Sequence, residues 1–402
     1  MKRDVITLER PERFSDPHPI SKAKLEAAAS EALDIIEKAG RENGTNFPLT
    51  RVGFKYIYED ANTGWLSGLY TGCFWLGYEL TGNTWFKNQA EALTETFKKR
   101  YDENLDMSSH DTGFVYTPSA VAQYKITGNE KARELALCAA RCLYENNYSK
   151  EGKFIIRISR PGDWNKGPGC RTMMDSLMNA PLLFWAGKEC GNEDYFNAAK
   201  DHVKTTEELL IRADGSSFHH YQFDPVTVKP VRGLTLQGRS DDSCWSRGQA
   251  WGIYGFPIAY SYTKEDYLVD VHRDISYFML NHLPEDFIPA WDYDFTSMKA
   301  VKDSSAGVIS ACGFYEMASM LPDSSPDKAI FTNAANKIID STIDYCTGDN
   351  GIDRDGTIFH VTGYASAKNP ARRNIDEVAV YADYFYLEAL TRLLKPDFKR
   401  YW

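Results

Sequence analysis

Apolar and polar positions along the chain alternate in a way that predicts paired helices. Three stretches end a strongly apolar run alike and then open a charged one: "GYELTGNTWF" (Gly77–Phe86), "QYKITGNEKA" (Gln123–Ala132) and "GKECGNEDYF" (Gly187–Phe196). Gly just past a helix end supplies a left-handed C-cap, so each stretch reads as a helix–turn–helix joint. A fourth copy, "AYSYTKEDYL" (Ala259–Leu268), lacks the Gly. The helix before a joint, as in "GWLSGLYTGCFWLGYEL", is apolar all round. The helix after it, as in "WFKNQAEALTETFKKRY", is amphipathic. The first kind belongs inside a fold and the second outside.

Two later segments, "DSSAGVISACGFYEMASML" and "DEVAVYADYFYLEALTRLL", read as further inner helices. Inner helices are therefore predicted to start near Gly64, Asp111, Met173, Arg247, Ser304 and Asp376. Inner and outer helices alternating without strands between them predict an all-α closed double ring. No Pro/Gly/Ser-rich linker marks a boundary, so residues 1–402 read as one domain rather than two helical ones, with an irregular N-terminal segment of about 20 residues. In such a ring the inner helices run the same way, and the loops at their N-termini converge on one funnel.

Composition narrows the function. The 402 residues are 43% hydrophobic, enough for a substantial core, and 13% aromatic, which offers platforms for sugar rings as well as packing. A formal charge of −10 and the lack of a long Lys/Arg run disfavour nucleic acid as a partner. An acidic substrate would need a local basic cluster working against that field. The opening "MKRDVITLERPERF" lacks the apolar core of a signal peptide, and no window is apolar enough to span a membrane. The eight cysteines form no CxxC pair, and Cys138 and Cys142 have the spacing of two buried helical thiols. A reduced, cytoplasmic protein is expected; its oligomeric state is not fixed by these features.

The unusual residues cluster at the expected N-termini of the inner helices. In "SSHDTGFVYTPS" (Ser108–Ser119), Asp111 taken alone reads as a helix cap. If the helix instead starts at Pro118 with Thr117 as cap, Asp111 is released; otherwise the helix is kinked at Pro118. Asp175 lies among Met173, Met174, Leu177 and Met178. It reads either as a desolvated acid suited to proton transfer or as a buried partner of Arg171. His219 and His220 are adjacent and carry no metal motif. The stretch Val231–Gly255 gathers Arg232, Gln237, Arg239, Trp245, Arg247, Gln249 and Trp251. Arg247 and Trp251 share a helix face, where a guanidinium beside an indole would suit an acidic sugar. The alternative is an ion pair of Arg247 with Asp241 or Asp242 and tryptophans in the core. Trp65 opens the first inner helix, Trp291 lies in "PAWDYDF", and "SAKNPARR" (Ser366–Arg373) reads as a solvated basic loop.

Taken together, "SHDTGFVY", "MMDSLMNAPLLFWA", "RGLTLQG", "DDSCWSRGQAWGIYGF", "PAWDYDF", "KDSSAGVIS" and "YADYFYLEAL" resemble, in order, the blocks of the unsaturated glucuronyl hydrolases, glycoside hydrolase family 88. The resemblance covers about Trp65 to Leu390. It implies an (α/α)₆ barrel and a substrate that is a short lyase product, with an unsaturated uronic acid at its non-reducing end. It also implies cleavage by hydration of the C4=C5 double bond, with Asp175 as proton carrier and Asp111 holding sugar hydroxyls and tuning Asp175. With these companions in order, Asp111 reads as a catalytic acid rather than a cap.

The same resemblance places His219, Gln237, Arg247, Trp65 and Trp251 around the uronate, the two tryptophans as stacking platforms, with Trp245 as a further candidate. Members acting on sulfated fragments carry Ser-x-x-Ser-x-Lys. Here "GYASAK" keeps Ser366 and Lys368 but has Gly363 in the first position. Ala382 stands where the family often has Gly, a packing difference. No metal or organic cofactor is expected, because no phosphate-cradling loop, nucleophile elbow or zinc motif is present. The rival readings are a rhamnogalacturonyl hydrolase acting on pectin fragments, an inverting glycosidase on a saturated sugar, and a non-catalytic sugar-binding toroid.

Overall fold

The computed structural model describes residues 4–157, 170–295, 297–348, 353–363, 365 and 374–402. The N-terminal segment is irregular apart from a short helix, α1 (Glu12–Ser15). The helices that follow are α2 (Lys22–Asn43), α3 (Leu66–Thr81), α4 (Thr84–Asp102), α5 (Thr112–Tyr116), α6 (Ala122–Thr127), α7 (Glu130–Asn147), α8 (Ala180–Cys190), α9 (Glu193–Leu210), α10 (Ser246–Thr263), α11 (Tyr267–His282), α12 (Ser304–Met320), α13 (Pro326–Cys346) and α14 (Val380–Leu394).

Helices α3, α5 with α6, α8, α10, α12 and α14 form the inner ring, which α14 closes by packing on α3. Every residue of α10 from Ser246 to Ala259 is buried, as an all-round apolar helix requires. The outer helices bury one stripe only; in α9 that stripe includes Ala198, Ala199, His202, Val203, Thr206 and Leu210. The double ring expected from the sequence is thus an (α/α)₆ barrel.

The Gly-Asn joints do two jobs. Gly82, Gly128 and Gly191 take left-handed φ values of 70°, 69° and 69° and end α3, α6 and α8. The following Asn83, Asn129 and Asn192 each cap the next helix, accepting backbone N–H groups of Trp85, Ala132 and Asp194. The fourth joint keeps the geometry without the Gly, since Lys264 sits at φ 58°.

Short antiparallel sheets decorate the ring, which the helical reading did not include. A hairpin pairs β1 (Phe47–Val52) with β2 (Lys55–Glu59), and a smaller one pairs β3 (Tyr148–Ser149) with β4 (Phe154–Ile155). A three-stranded sheet orders β5 (Arg171–Met173), β6 (His220–Phe223) and β7 (Pro230–Leu234). All eight cysteines are free, Cys138 and Cys142 being only half-buried. No helix among the described residues is long and apolar enough to cross a membrane.

Candidate active site

The N-terminal ends of the inner helices surround a cavity of about 380 Å³. Trp65 precedes α3, Asp111 precedes α5, Asp175 lies in a tight turn before α8, Arg247 opens α10 and Tyr381 opens α14. The structure therefore brings together Asp111, Asp175, Trp65, His219, Gln237, Trp245, Arg247 and Trp251, all of which line this cavity. Ser366 and Lys368 lie outside the described residues.

Asp111 occupies the N-cap position of α5, yet its side chain caps nothing. The helix begins at Thr112, not at Pro118, which is absorbed in a wide π turn over Thr117–Val121. The N–H that a cap side chain would take, that of Phe114, is donated to Asn179 Oδ1 at 2.9 Å. Asn179 is close enough to do so because residue 113 is Gly: a Cβ there would lie 2.3 Å from Asn179 Cα. The freed Asp111 carboxylate accepts a hydrogen bond from Ser109 Oγ at 3.1 Å.

His110 stands between the two acids. Its Nε2 is 3.4 Å from Asp111 Oδ1 and 3.7 Å from Asp175 Oδ1. Asp175 Oδ1 is buried and has no hydrogen-bond partner among the described residues, so it is available to a substrate. Burial pushes the Asp111 carboxyl above the ordinary carboxylate range, and the nearby Asp175 adds to the rise; His110 and Arg157 pull it down.

Donors for a sugar come from the sheet side. Met174 N–H donates to the His219 carbonyl at 2.9 Å, which ties His219 to the Asp175 turn. His219 Nδ1 accepts the N–H groups of Leu236 and Gln237 at 3.1 and 3.4 Å. The ring is therefore neutral with its proton on Nε2, and burial also holds it well below the usual imidazole range. Gln237 Oε1 accepts from Arg247 Nη2 at 3.0 Å, which leaves its amide N–H₂ to donate.

Arg247 is a buried hub. Nη1 bonds Asp303 Oδ2 at 2.6 Å, the Thr362 carbonyl at 3.0 Å and Ser305 Oγ at 3.3 Å; Nη2 also bonds the Gly363 carbonyl at 3.2 Å. Its partner is Asp303 at the start of α12, not Asp241 or Asp242. The aromatic groups over it are Trp245 at 4.7 Å and Tyr381 at 4.8 Å, not Trp251. A long side chain on a helix leans toward the N-terminus, and Trp251 lies a turn the other way. Trp251 is 2% exposed and packs edge-on against Phe114 and Phe385. Trp65 is more open, with one face stacked on Tyr381 at 5.3 Å.

Arg51, on β1, also lines the cavity and was not anticipated, nor were His110, Arg157, Tyr381 and Asn374. An Arg before the turn glycine of an alternating run, "LTRVGFKYIYE", is a hairpin signal, and His110 directly precedes Asp111. Among the described residues no group of three His, Cys, Asp or Glu side chains stands where it could hold a metal ion.

Residues 36–284 match the family model described as Glycosyl Hydrolase Family 88. The chain is 37% identical over 403 residues to an unsaturated chondroitin disaccharide hydrolase of Streptococcus pneumoniae, with 99% of each chain covered. It is similar, with a TM-score of 0.92 and 35% identity, to the crystal structure of an unsaturated glucuronyl hydrolase from Streptococcus agalactiae, covering 100% of this chain and 99% of that one. A mutant of that enzyme in complex with dGlcA-GalNAc6S is similar with a TM-score of 0.85 and 33% identity, at the same coverage.

Proposed function

The chain belongs to glycosyl hydrolase family 88, and on that premise we propose that it is an unsaturated glucuronyl hydrolase. Its substrates are lyase-generated glycosaminoglycan fragments of the chondroitin and hyaluronan type, from which it releases the unsaturated glucuronic acid at the non-reducing end. The observation that carries this reading is the pair of carboxylates flanking His110 in a cavity of disaccharide size.

In the proposed reaction Asp175 gives a proton to C4 of the double bond, and positive charge develops at C5 beside the ring oxygen. Water adds to C5 and returns a proton to Asp175, which ends as it began. The C5 hemiketal opens, C5–O5 breaks, and the hemiacetal left at C1 expels the aglycone as an alcohol. Asp111, with Ser109, holds sugar hydroxyls. The His219 Nε2–H and the Gln237 amide offer the uronate carboxylate two donors from one wall. A neutral imidazole there avoids competing for the proton that Asp175 transfers. Trp65 supplies the more open stacking surface. The whole chain acts as one catalytic domain.

The test follows the ultraviolet absorbance of the conjugated alkene in unsaturated chondroitin and hyaluronan disaccharides. Wild type should remove it, and Asp175→Asn should be slower by about 10²–10⁴-fold, the usual worth of a positioned acid–base group. Constant absorbance with wild type, together with cleavage of saturated glycosides, would sink the hydration mechanism. Activity confined to pectin fragments would move the enzyme to the rhamnogalacturonyl group.

A further inference from the structure

The inner helices that begin at the catalytic cavity end at a second one. At the opposite end of the barrel a cavity of about 560 Å³ lies among the last turns of α6, α10, α12 and α14, the first turns of α13 and the chain beyond α14. Among the described residues six cations line it, Lys125, Lys328, Arg392, Lys395, Lys399 and Arg400, against one acid, Glu316. The chain as a whole carries a formal charge of −10, so this cluster runs against the overall field.

The charges fall into two layers. In the floor, Glu316 and Glu388 answer the two arginines. Arg392 Nη1 meets Glu316 Oε2 at 3.0 Å and its Nη2 meets Glu388 Oε1 at 2.9 Å, while Arg400 Nη1 bonds Glu316 Oε1. Both oxygens of Glu316 are thereby used. On the rim, Lys328 is paired with Asp323 at 2.6 Å. The ammonium groups of Lys395 and Lys399 have no ion pair or hydrogen-bond partner among the described residues, and Glu79 faces Lys395 without pairing with it. Lys125 Nζ donates to the Tyr401 carbonyl at 2.6 Å and the Arg400 carbonyl at 3.3 Å, neither of them a countercharge. Three lysines thus surround the cavity without a carboxylate of their own.

Cations near helix C-termini commonly offset the partial negative charge there. That accounts for Lys125 and Lys395, at the ends of α6 and α14, but not for Lys399. Nor does it satisfy Lys125. Desolvation by the cavity walls, and then the Arg400 charge, push its amine down to about 7, against the opposing pull of Glu316. An ammonium made costly in this way gains most from an added anion.

We infer that this cavity is a second, non-catalytic binding site for a small tetrahedral dianion, phosphate or sulfate, free or as the ester of a sugar, held by Lys125, Lys395 and Lys399. This goes beyond the proposed function and does not depend on it. The cavity is larger than a bare ion fills, and the Tyr262 hydroxyl, without a described partner, offers a sugar one more hydrogen bond.

The experiment titrates inorganic sulfate, and glucose 6-phosphate as the ester, calorimetrically into wild type, Lys125→Met, the double variant Lys395→Gln/Lys399→Gln, and Arg51→Gln. The last controls for an anion taken up in the catalytic cavity. Both lysine proteins should bind sulfate about ten-fold more weakly or worse, the usual worth of charge-assisted hydrogen bonds, and Arg51→Gln should retain the binding. Arg400 and Glu316 are the charges that act on Lys125, and no histidine or cysteine lines the cavity among the described residues. Sulfate keeps its charge between pH 6 and 8, so wild-type affinity should fall several-fold across that range as the Lys125 ammonium is lost, and in Lys125→Met it should not. Tighter binding of the ester than of sulfate would identify a sugar ester as the ligand, and equal binding the free ion; either sustains the inference. Binding within two-fold of wild type in both lysine proteins, loss in Arg51→Gln instead, or no binding of either anion by wild type at millimolar concentration overturns it. A lower Tm in the lysine proteins with sulfate binding intact overturns it too, and leaves the lysines as complements of the helix ends alone.

Discussion

Asn179 caps the helix that Asp111 begins. Its side-chain oxygen receives the Phe114 N–H at 2.9 Å, in the third position of α5, while Asp111 holds the cap position and keeps its carboxylate for the cavity. Two pressures on one residue, closing a helix and serving a site, are thereby divided between two residues 68 positions apart in sequence.

Removing Asn179 should disturb both jobs together. In Asn179→Ala the buried Phe114 N–H loses its acceptor, which costs about 1–2 kcal/mol by the usual worth of a cap. The same free N–H then competes for the Asp111 carboxylate, so kcat should fall about ten-fold or more, the scale on which a slightly misplaced site group is felt. Urea unfolding and steady-state kinetics on one preparation check this. Lower stability with unchanged kcat would show that Asp111 does not answer to Asn179.

The same pair shows what a sequence conceals. The joints at Gly82, Gly128 and Gly191 were legible because a C-cap is local chemistry, decided within a few residues. The buried character of α3, α10 and α12 was legible from composition alone. The start of α5 was not, because Asn179 and a π turn override what Thr117-Pro118 suggests locally. Arg247 pairs with Asp303, 56 residues away, although two aspartates lie nearer in sequence. Arg51 arrives on a hairpin outside the helical repeat, so no periodicity pointed to it. The residues of the candidate site were found by type and order, and their division of labour only by distance.

His110 should set the acidic limb of the pH profile. Burial, and then the charge of Asp175, raise the Asp111 carboxyl, while His110 opposes the rise. His110→Gln removes that opposing charge, so Asp111 ionises at higher pH. If the active form needs ionised Asp111, the acidic limb of kcat/KM moves upward in pH. Profiles of wild type and variant between pH 4 and 8 decide it; superimposable acidic limbs would rule the coupling out.

The fourth helix joint leaves room for a stabilising change. Lys264 holds a left-handed C-cap at φ 58°, a conformation that its Cβ resists, and its ammonium reaches the Tyr260 ring at 5.3 Å. Lys264→Gly removes the strain at the cost of that contact and of some unfolded-state entropy. A net gain of about 0.5–1 kcal/mol is expected. The mirror change, Gly128→Ala, forces the same strain on a joint now free of it and should cost a similar amount. Thermal melts of both variants give the comparison, and a lower Tm for Lys264→Gly would mean that the cation–ring contact outweighs the backbone term.

Asp383 should give part of the stability a pH dependence opposite to that of a salt-bridged acid. It lies buried on α14, where Oδ2 accepts Tyr56 OH at 2.6 Å and Oδ1 accepts the Thr357 N–H and hydroxyl at 2.6 and 2.8 Å. Burial pushes its carboxyl up to about 6 from an ordinary 3.8, against the pull of those hydrogen bonds. Between those two values the folded chain keeps a proton that the unfolded chain has released, so this contribution falls as pH rises through the window. Each pH unit inside it changes stability by at most about 1.4 kcal/mol. His202 and His272, both pushed down to about 3 by burial, act with the opposite sign, losing stability as pH falls. Their effect cancels in a difference between two variants. Asp383→Asn is a neutral stand-in for the protonated acid and cannot titrate, so any deficit it has against wild type should be largest near pH 4 and shrink toward pH 6.5. Urea unfolding of both proteins across that range tests this, and a constant deficit would mean that Asp383 does not titrate there.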